Sequence, residues 1–373
     1  MITNLTGTPV ASLLQPNGNI LVSLFNGTTA TVARFLPSGA LDTSFGSGGV
    51  AQTAISGSAE LPLDGSGKVL VGSGIGSTSN TLAFVVERLN PNGQPDPTFG
   101  SNGVASANSS GNSATCLLVQ PDGKVLIGGD RIQTGRPEKE FGLIMRFNSD
   151  GTLDTAFGNA GQVSLSSNGT GVEALGLDAS GDIFALGAGP QTELSAAGQV
   201  DANLTPAPLT TISKGDHLLA GSLTANDQSL LRETVHTGGR GASQSFEAQI
   251  ARRTATGALD PTFSSTPFRF TGQTSLLGAD LISEALTAPR GKIVAVGASH
   301  PQNESTAGVI GVERLDANGQ PDTTFGTGGG VTTSISQNSA ADTGIVQPNG
   351  DIVVAGTADN GGAAQVVLIR FRG

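Results

Sequence analysis

ATCLLVQPDGKVLIGGD occupies residues 114–130, and FGLIMRFNSDGTLDTAFGNAGQVSLSS occupies residues 141–167. In both stretches a tight Asp-Gly turn follows a short apolar run, which is the signal of a β-hairpin. We predict four antiparallel strands, at residues 115–119, 124–129, 141–147 and 161–165. Four such strands in one unit are typical of a blade of a β-propeller.

The first of these turns recurs along the whole chain. We number the repeats one to seven by the glycine that closes it: Gly18, Gly67, Gly123, Gly181, Gly215, Gly291 and Gly350. A period of this length, with alternating strands and no long helical pattern, predicts a closed ring of small sheets. The predicted fold is therefore all-β, a seven-bladed β-propeller with four-stranded antiparallel blades, formed by residues 1–373 as a single domain.

The two ends of the chain fit a closed ring. Residues 366–371 read as a third strand with no fourth strand after it. Residues 1–6 precede the first turn by the spacing of an outer strand. We therefore predict that this N-terminal strand completes the last blade and closes the ring, which removes exposed sheet edges.

A second regularity surrounds the later turn of five repeats. An Arg lies five residues before the turn glycine and an Asp three residues after it, and a Phe follows the Asp by three residues. Because a hairpin brings such positions together, we predict an Arg–Asp ion pair in each repeat and a Phe between neighbouring blades. Five copies of one arrangement favour a structural clasp over five identical ion sites. The pairs are Arg34/Asp42, Arg88/Asp96, Arg146/Asp154, Arg252/Asp260 and Arg314/Asp322, and the aromatic residues are Phe45, Phe99, Phe157, Phe263 and Phe325.

Repeat four departs from this pattern. Glu193 takes the Arg position, Asp201 the Asp position and Leu204 the Phe position. Two adjacent carboxylates are unfavourable unless a cation or a proton lies between them. We predict a short, degenerate blade at about 172–206, which is either a decayed repeat or a blade adapted as a binding or assembly edge. The next repeat carries a long loop insertion at 224–245.

The two tight turns of each blade are predicted to lie on one face of the ring. The longer connections lie on the opposite face, which we call the variable-loop face because the spacing between the two turn glycines ranges from 17 residues in repeat four to 42 in repeat five. Connections of variable length are where binding sites are usually built, although charged loop residues are also common as a solvated surface. The candidate binding residues on this face are Asp130, Arg131, Arg136, Glu138, His236, Arg240, His300, Asn303 and Glu304.

Acidic residues near the inner strands are the candidates for enzymatic chemistry. Asp130 opens the charged loop of repeat three, and Glu173 and Glu284 lie where inner strands begin. Acid–base catalysis would need two carboxyl groups with separated pKa values, and solvated acids at strand ends are the alternative. The chain has no H-x-H or H-E-x-x-H spacing, no phosphate loop between a strand and a helix and no calcium loop. We therefore predict no catalytic residue, no metal and no cofactor.

Composition argues against several classes of function. The net charge of −11 disfavours nucleic acid and anionic membrane surfaces as partners. The absence of Trp and Tyr removes the usual platforms for stacking bases or sugars. No apolar run approaches the ~18 residues of a membrane-spanning helix. Cys116, the single cysteine, is predicted to be a small buried apolar residue.

The segments QPDGKVLIGG, RFNSDGTLDTAFG and GQV, which recur in this order, resemble the delta-60 repeat, a bacterial family of uncharacterised function. The resemblance covers nearly the whole chain and implies a propeller of the kind often found in large secreted or surface-attached proteins. It implies no activity and no catalytic residue. Repeat four, with Glu193 and Leu204, departs from the pattern of the family.

Together these observations favour a non-enzymatic scaffold of a bacterial secreted or surface protein that binds a protein or glycan partner through its variable-loop face. One alternative is a propeller lyase or hydrolase acting on a saccharide or lactone at the mouth of the central tunnel. Another is a purely structural repeat segment of a larger surface protein. The first residues carry no signal peptide, so a cytoplasmic location is the alternative to an extracellular or cell-surface one. The ligand and the oligomeric state are left open.

Overall fold

The computed structural model of the chain describes residues 2–57, 60–76, 82–108, 113–133, 139–165, 171–178, 180–187, 192–200, 217–223, 229–237, 245–254, 260–263, 280–299, 308–336, 338–359 and 364–373. Within these ranges every regular element is a β-strand, apart from a 3₁₀ turn at Pro289–Gly291. None of the described segments forms a helix long and apolar enough to cross a membrane. The chain divides into two compact units, Gln15–Leu209 and Met1–Leu14 with Thr210–Gly373.

The strands are short and form antiparallel sheets of three or four strands. The prediction of an all-β chain built from antiparallel sheets is thereby confirmed for the described residues. In chain order the strands are β1 (Ile2–Thr6), β2 (Thr8–Leu14), β3 (Ile20–Phe25), β4 (Thr29–Phe35), β5 (Val50–Ser56), β6 (Val69–Gly76), β7 (Leu82–Leu89), β8 (Val104–Asn108), β9 (Ser113–Val119), β10 (Val125–Gln133), β11 (Lys139–Phe147), β12 (Gln162–Leu165), β13 (Ala174–Leu177), β14 (Ile183–Leu186), β15 (Thr192–Leu194), β16 (His217–Leu223), β17 (Ser229–Thr237), β18 (Ser245–Arg253), β19 (Asp280–Thr287), β20 (Ile293–Ser299), β21 (Val309–Leu315), β22 (Gly330–Thr333), β23 (Asn338–Val346), β24 (Ile352–Asp359) and β25 (Gln365–Phe371).

The unit Gln15–Leu209 holds repeats two to four and the later strands of repeat one. Repeat three has the four strands that the sequence predicts, in the order β12-β11-β10-β9. Its middle hairpin is longer than predicted, with paired residues from Val125↔Phe147 to Gln133↔Lys139. In repeat four the described strands β13, β14 and β15 are only three or four residues long. The predicted Asp and Phe positions of that repeat lie outside the described residues.

The second unit holds the sheets β16-β17-β18, β19-β20-β21-β22 and β1-β25-β24-β23. In the last of these, β1 runs antiparallel to β25. The following strand, β2, packs against β23 and β24. Residues 229–237, inside the segment predicted to be a loop at 224–245, form a strand instead. This strand pairs with β18 along its whole length, from Ser229↔Arg253 to Thr237↔Ser245.

The hydrophobic core lies between neighbouring sheets. Leu70, Phe84 and Phe99 of repeat two pack in one buried cluster with Ile127 and Leu143 of repeat three. Fully burying one such side chain contributes about 1.5–3 kcal/mol. Each repeat therefore depends on the repeat beside it for its core, as expected of a repeat architecture.

The turn glycines allow neighbouring repeats to approach closely. Gly151 has φ +84°, a left-handed conformation that glycine adopts at little cost. A Cβ atom on Gly151 would lie 2.6 Å from the backbone nitrogen of Gly100 in the preceding repeat. Glycine at this turn is thus required both by the backbone conformation and by the contact.

Candidate functional site

The five predicted clasps have the same geometry in the structure. In each, the Arg Nε lies 2.7–2.8 Å from the Asp Oδ2. The guanidinium carbon lies 4.3–4.8 Å from the centroid of the Phe ring, close enough for a cation–π interaction. The Phe residues are buried. The spacing of Arg, Asp and Phe in the sequence therefore reflects one compact cluster in each of these repeats.

Four of the five clasps also reach the next repeat, a contact that the sequence did not indicate. In repeat two, Arg88 Nη1 donates to the Ser149 carbonyl oxygen at 2.7 Å. The backbone nitrogen of Gly100 donates to the Asp150 carbonyl oxygen, also at 2.7 Å. The equivalent arginine bonds are Arg34 to Pro91, Arg146 to Ala196 and Arg252 to Ala317. A hydrogen bond from a charged donor contributes about 1.5–3 kcal/mol, so these partly buried bonds help to hold consecutive repeats together.

Three clasps contain a lysine that was not singled out from the sequence. Lys68 Nζ lies 2.7 Å from the Asp96 Oδ2 that Arg88 also binds. Lys124 and Lys292 bind Asp154 and Asp322 in the same way. The signal was present in the sequence, because each of these lysines directly follows the first turn glycine. In these repeats one aspartate therefore joins both hairpins of the repeat.

The charged partners change the pKa of the clasp aspartates. Burial alone would raise the pKa of Asp96, but hydrogen bonds from Lys68, Thr98 and Arg88 outweigh it and hold the pKa well below its usual value. Asp322 shows the same balance, with Lys292 as its strongest hydrogen-bond donor. Both carboxyl groups are thus ionised throughout the physiological pH range.

We expect Asp96→Asn to destabilise the protein by about 3 kcal/mol at pH 7, because Lys68 and Arg88 would lose their shared counter-ion. A lowered pKa stabilises the fold above the unfolded pKa, about 3.9, and this contribution is lost as pH falls through the folded pKa. The difference in free energy of unfolding between the two proteins should therefore shrink below pH 4. Urea denaturation from pH 7 to pH 2 measures it. Asp122→Asn, at an exposed turn, is the control, and an equal effect there would contradict the assignment.

The structure describes three of the nine candidate residues of the variable-loop face. Asp130 lies in β10 opposite Gly142, and burial raises the pKa of its carboxyl group. Arg131 follows in the same hairpin, and His236 lies in β17 opposite Phe246. The structure thus places these residues in the hairpins β10–β11 and β17–β18. The other six candidates lie outside the described residues: Arg136, Glu138, Arg240, His300, Asn303 and Glu304.

Glu284 is part of a hydrogen-bond network between inner strands. Its Oε2 atom accepts bonds from Thr343 Oγ1 and from the Gly344 backbone nitrogen, both at 2.7 Å. Thr343 Oγ1 lies 2.9 Å from Ser12 Oγ. Because the proton of Thr343 is directed at the carboxylate, its oxygen accepts the proton of Ser12. The network ties β19, β23 and β2 together, a role that sequence spacing did not reveal.

The other acidic candidate, Glu173, lies at the start of the inner strand of repeat four. Its backbone nitrogen donates to the Leu186 carbonyl oxygen at 2.7 Å. A Cβ atom on Gly171, two residues before it, would lie 2.9 Å from the Asp130 Cβ, so the segment leading to Glu173 passes close to the backbone of Asp130. Cys116 is buried, and burial raises the pKa of its thiol. A thiol held in its protonated form is a poor nucleophile.

Repeat four replaces the clasp with acidic residues. Carboxylate oxygens of Asp178, Asp182 and Glu193 lie within 4.8 Å of one another. Asp182 stands at the Lys position of the other repeats, and Glu193 at the Arg position. Oxygen donors of this kind could hold a divalent cation, but partly exposed acidic groups are also common without one. Asp178 and Asp182 accept backbone hydrogen bonds from Ser180 and Ala196, which accounts for their placement.

Comparison with known proteins agrees with the repeat geometry. Residues 15–45, 65–99, 120–157 and 289–325 match the model of a β-propeller domain of unknown function, DUF5122. The chain has a β-propeller fold. The match supports a propeller repeat family of unknown function, and the delta-60 resemblance stays a prediction. The propeller has no match among curated protein sequences.

Two solved structures resemble this propeller along nearly its whole length. The polysaccharide lyase Uly1 is 10% identical, with a TM-score of 0.53, and the match covers 99% of this chain and 90% of that one. The virginiamycin B lyase from Staphylococcus aureus is 12% identical, with a TM-score of 0.50, and the match covers 99% of this chain and 97% of that one. At such low identity the likeness shows the fold alone.

Proposed function

We propose that this protein is a non-enzymatic scaffold that binds a protein or glycan partner through its variable-loop face, outside the cytoplasm. The proposal includes a ring of seven blades closed by β1, which the pairing of β1 with β25 supports. An experimental density map would count the blades directly.

The proposal is supported by one observation: the clasps have the same geometry in five repeats, whereas the middle hairpins of the repeats differ in length. The clasp repeats with nearly the same distances in five repeats. By contrast, the hairpin β3–β4 ends at the pair Phe25↔Ala30, whereas β10–β11 extends to Gln133↔Lys139. Rigid frames that carry variable connections are the common design of binding proteins. A half-buried carboxyl group, Asp130, lies in the longer hairpin.

The test is a glycan array combined with thermal-shift measurements on the intact chain. A ligand present at 100 times its Kd should stabilise the fold by about 2.7 kcal/mol. A variant in which residues 131–140 are replaced by the short connection Asn26-Gly27-Thr28 of repeat one should keep its stability and lose the binding. Unchanged binding by this variant would show that the ligand lies elsewhere. A panel in which no glycan or protein ligand binds would contradict the proposal.

The second candidate function is a lyase or hydrolase acting on a saccharide or lactone. The observation that favours it is the network of Ser12, Thr343 and Glu284 on inner strands, which combines a carboxylate with two hydroxyl groups. Release of reducing or unsaturated ends from a polysaccharide panel would support this function. Glu284→Gln should then abolish the release, and activity that survives the substitution would remove Glu284 from the mechanism.

A further inference from the structure

Three inner strands in the described part of the chain contain a bulged position eight residues before the first turn glycine. At this position one residue of the strand has no partner in the pairing register. In β9 it lies between Ala114 and Cys116, which pair with Gly129 and Gly128. In β19 it lies between Ile282 and Glu284, and in β23 between Ala341 and Thr343. The residues set out of register are Thr115, Ser283 and Asp342. A bulge re-aims the side chain of the extra residue, so these three side chains occupy equivalent places in their repeats.

Two of these residues are hydroxyl donors to the next repeat. Ser283 Oγ donates to the Ala341 carbonyl oxygen at 2.6 Å, and Thr115 Oγ1 donates to the Val172 carbonyl oxygen. Each acceptor lies nine residues before the first turn glycine of its own repeat. At two of the three bulged positions, a side-chain proton donor thus faces a backbone carbonyl oxygen of the next repeat.

In repeat seven the residue at this position is an aspartate. The acceptor that corresponds to Ala341 and Val172 is Pro9 in β2, which is buried. The bond between Ser12 and Thr343 holds β2 beside β23 in this register. Proline has no N–H to donate to a carboxylate. No described residue donates a hydrogen bond to Asp342 Oδ2, which is buried from solvent.

We propose that the carboxyl group of Asp342 is protonated in the native fold up to neutral pH and donates its proton to the Pro9 carbonyl oxygen. The bond holds β2 against β23, and ionisation removes it. Asp342 is therefore a pH-sensitive latch on the N-terminal segment of the chain. The inference rests on the equivalence of repeats and is independent of the proposed function.

The surroundings of Asp342 agree with a neutral carboxyl group. Burial raises its pKa to about 7, although a hydrogen bond with the Thr357 side chain opposes the shift. The strands β2 and β20, which pack against β23, contain no charged residue. The charged residues on the other strands packed against β23 are Asp280 and Glu284 on β19, Glu313 and Arg314 on β21, and Asp359 on β24. Most of these are acidic, and a nearby negative charge also disfavours a carboxylate.

The decisive experiment is a pH titration of the Asp342 carboxyl group by carbon-13 NMR in the wild-type chain. We expect a midpoint near pH 7, and a midpoint below pH 5 would overturn the proposal. Because this measurement uses no variant, it holds even if the substituted chains fail to fold. A calcium titration at pH 8 is run in parallel, and stabilisation that depends on Asp342 would mean that the site binds a cation instead.

The functional test compares wild type with Asp342→Asn, whose amide donates at every pH. A raised pKa stabilises the fold below the unfolded pKa, and the contribution is lost as pH rises through the folded pKa. Relative to the variant, the folding equilibrium constant of wild type should fall about tenfold per pH unit from about pH 4 to about pH 7 and then level off. The matched control, Ser283→Ala, removes the equivalent donor of repeat six and should weaken the fold equally at every pH. An unchanged pH dependence in Asp342→Asn would overturn the latch.

Discussion

Replacing Arg88 with alanine will lower the free energy of unfolding of the unit Gln15–Leu209 by about 3–5 kcal/mol. Arg88 is 8% exposed, and its guanidinium binds Asp96, stacks on Phe99 and donates to the Ser149 carbonyl oxygen of the next repeat. The substitution leaves a buried carboxylate with Lys68 as its remaining cationic partner. It also leaves the Ser149 carbonyl oxygen without this donor.

Urea denaturation at pH 7, followed by circular dichroism, measures the change. Arg88→Lys keeps the charge but not the planar group that makes three contacts at once, so we expect it to recover less than half of the loss. Lys68→Ala is the matched control. Its side chain is 26% exposed and binds the same aspartate, so its loss should stay near 1 kcal/mol. A loss for Lys68→Ala as large as that for Arg88→Ala would contradict the central role of the arginine.

Replacing Phe99 with alanine will cost about 3–5 kcal/mol as well, but for a different reason. Phe99 is fully buried in the cluster that joins repeats two and three. Its removal loses the transfer free energy of the ring and leaves a cavity that the surrounding strands fill only in part. The cation–π contact with Arg88 is lost in the same step.

Phe99→Leu separates the two contributions. Leucine fills most of the volume but offers no aromatic face, so the variant should lose about 1–2 kcal/mol. In the Arg88→Ala background the loss should be smaller, since the cation is already absent. Leu36→Ala, at a side chain that is 38% exposed, serves as the surface control. Equal losses for Phe99→Ala and Leu36→Ala would show that the ring does not belong to the core.

Much of the propeller frame could be read from the sequence, because its determinants are local. Asp-Gly turns fix the hairpins, and the spacing of Arg88, Asp96 and Phe99 is set within one hairpin. The contact from Arg88 to Ser149 could not be read in this way, since it depends on how two repeats pack. The lengths of β10 and β11 also exceeded the prediction, because pairing continues through polar residues beyond Gly129.

The candidate site was less predictable than the frame. The spacing between turn glycines pointed to the hairpin that contains Asp130 and Arg131, but spacing carries no information on what the ends of the hairpins contact. The network of Ser12, Thr343 and Glu284 joins residues at opposite ends of the sequence. The packing of β2 and of β19 on β23 brings them together, and no local sequence pattern indicates it.

Four clasp arginines donate forward along the chain to a backbone carbonyl oxygen: Arg34, Arg88 and Arg146 in one unit and Arg252 in the other. A carbonyl acceptor is present whatever the side chain at that residue. Repeats should therefore be interchangeable building blocks, and an engineered array could duplicate or reorder them without redesigning each junction. Repeat four is the exception, because Glu193 stands at the Arg position and lacks the guanidinium group that donates to the next repeat. This repeat is therefore best placed last in such an array.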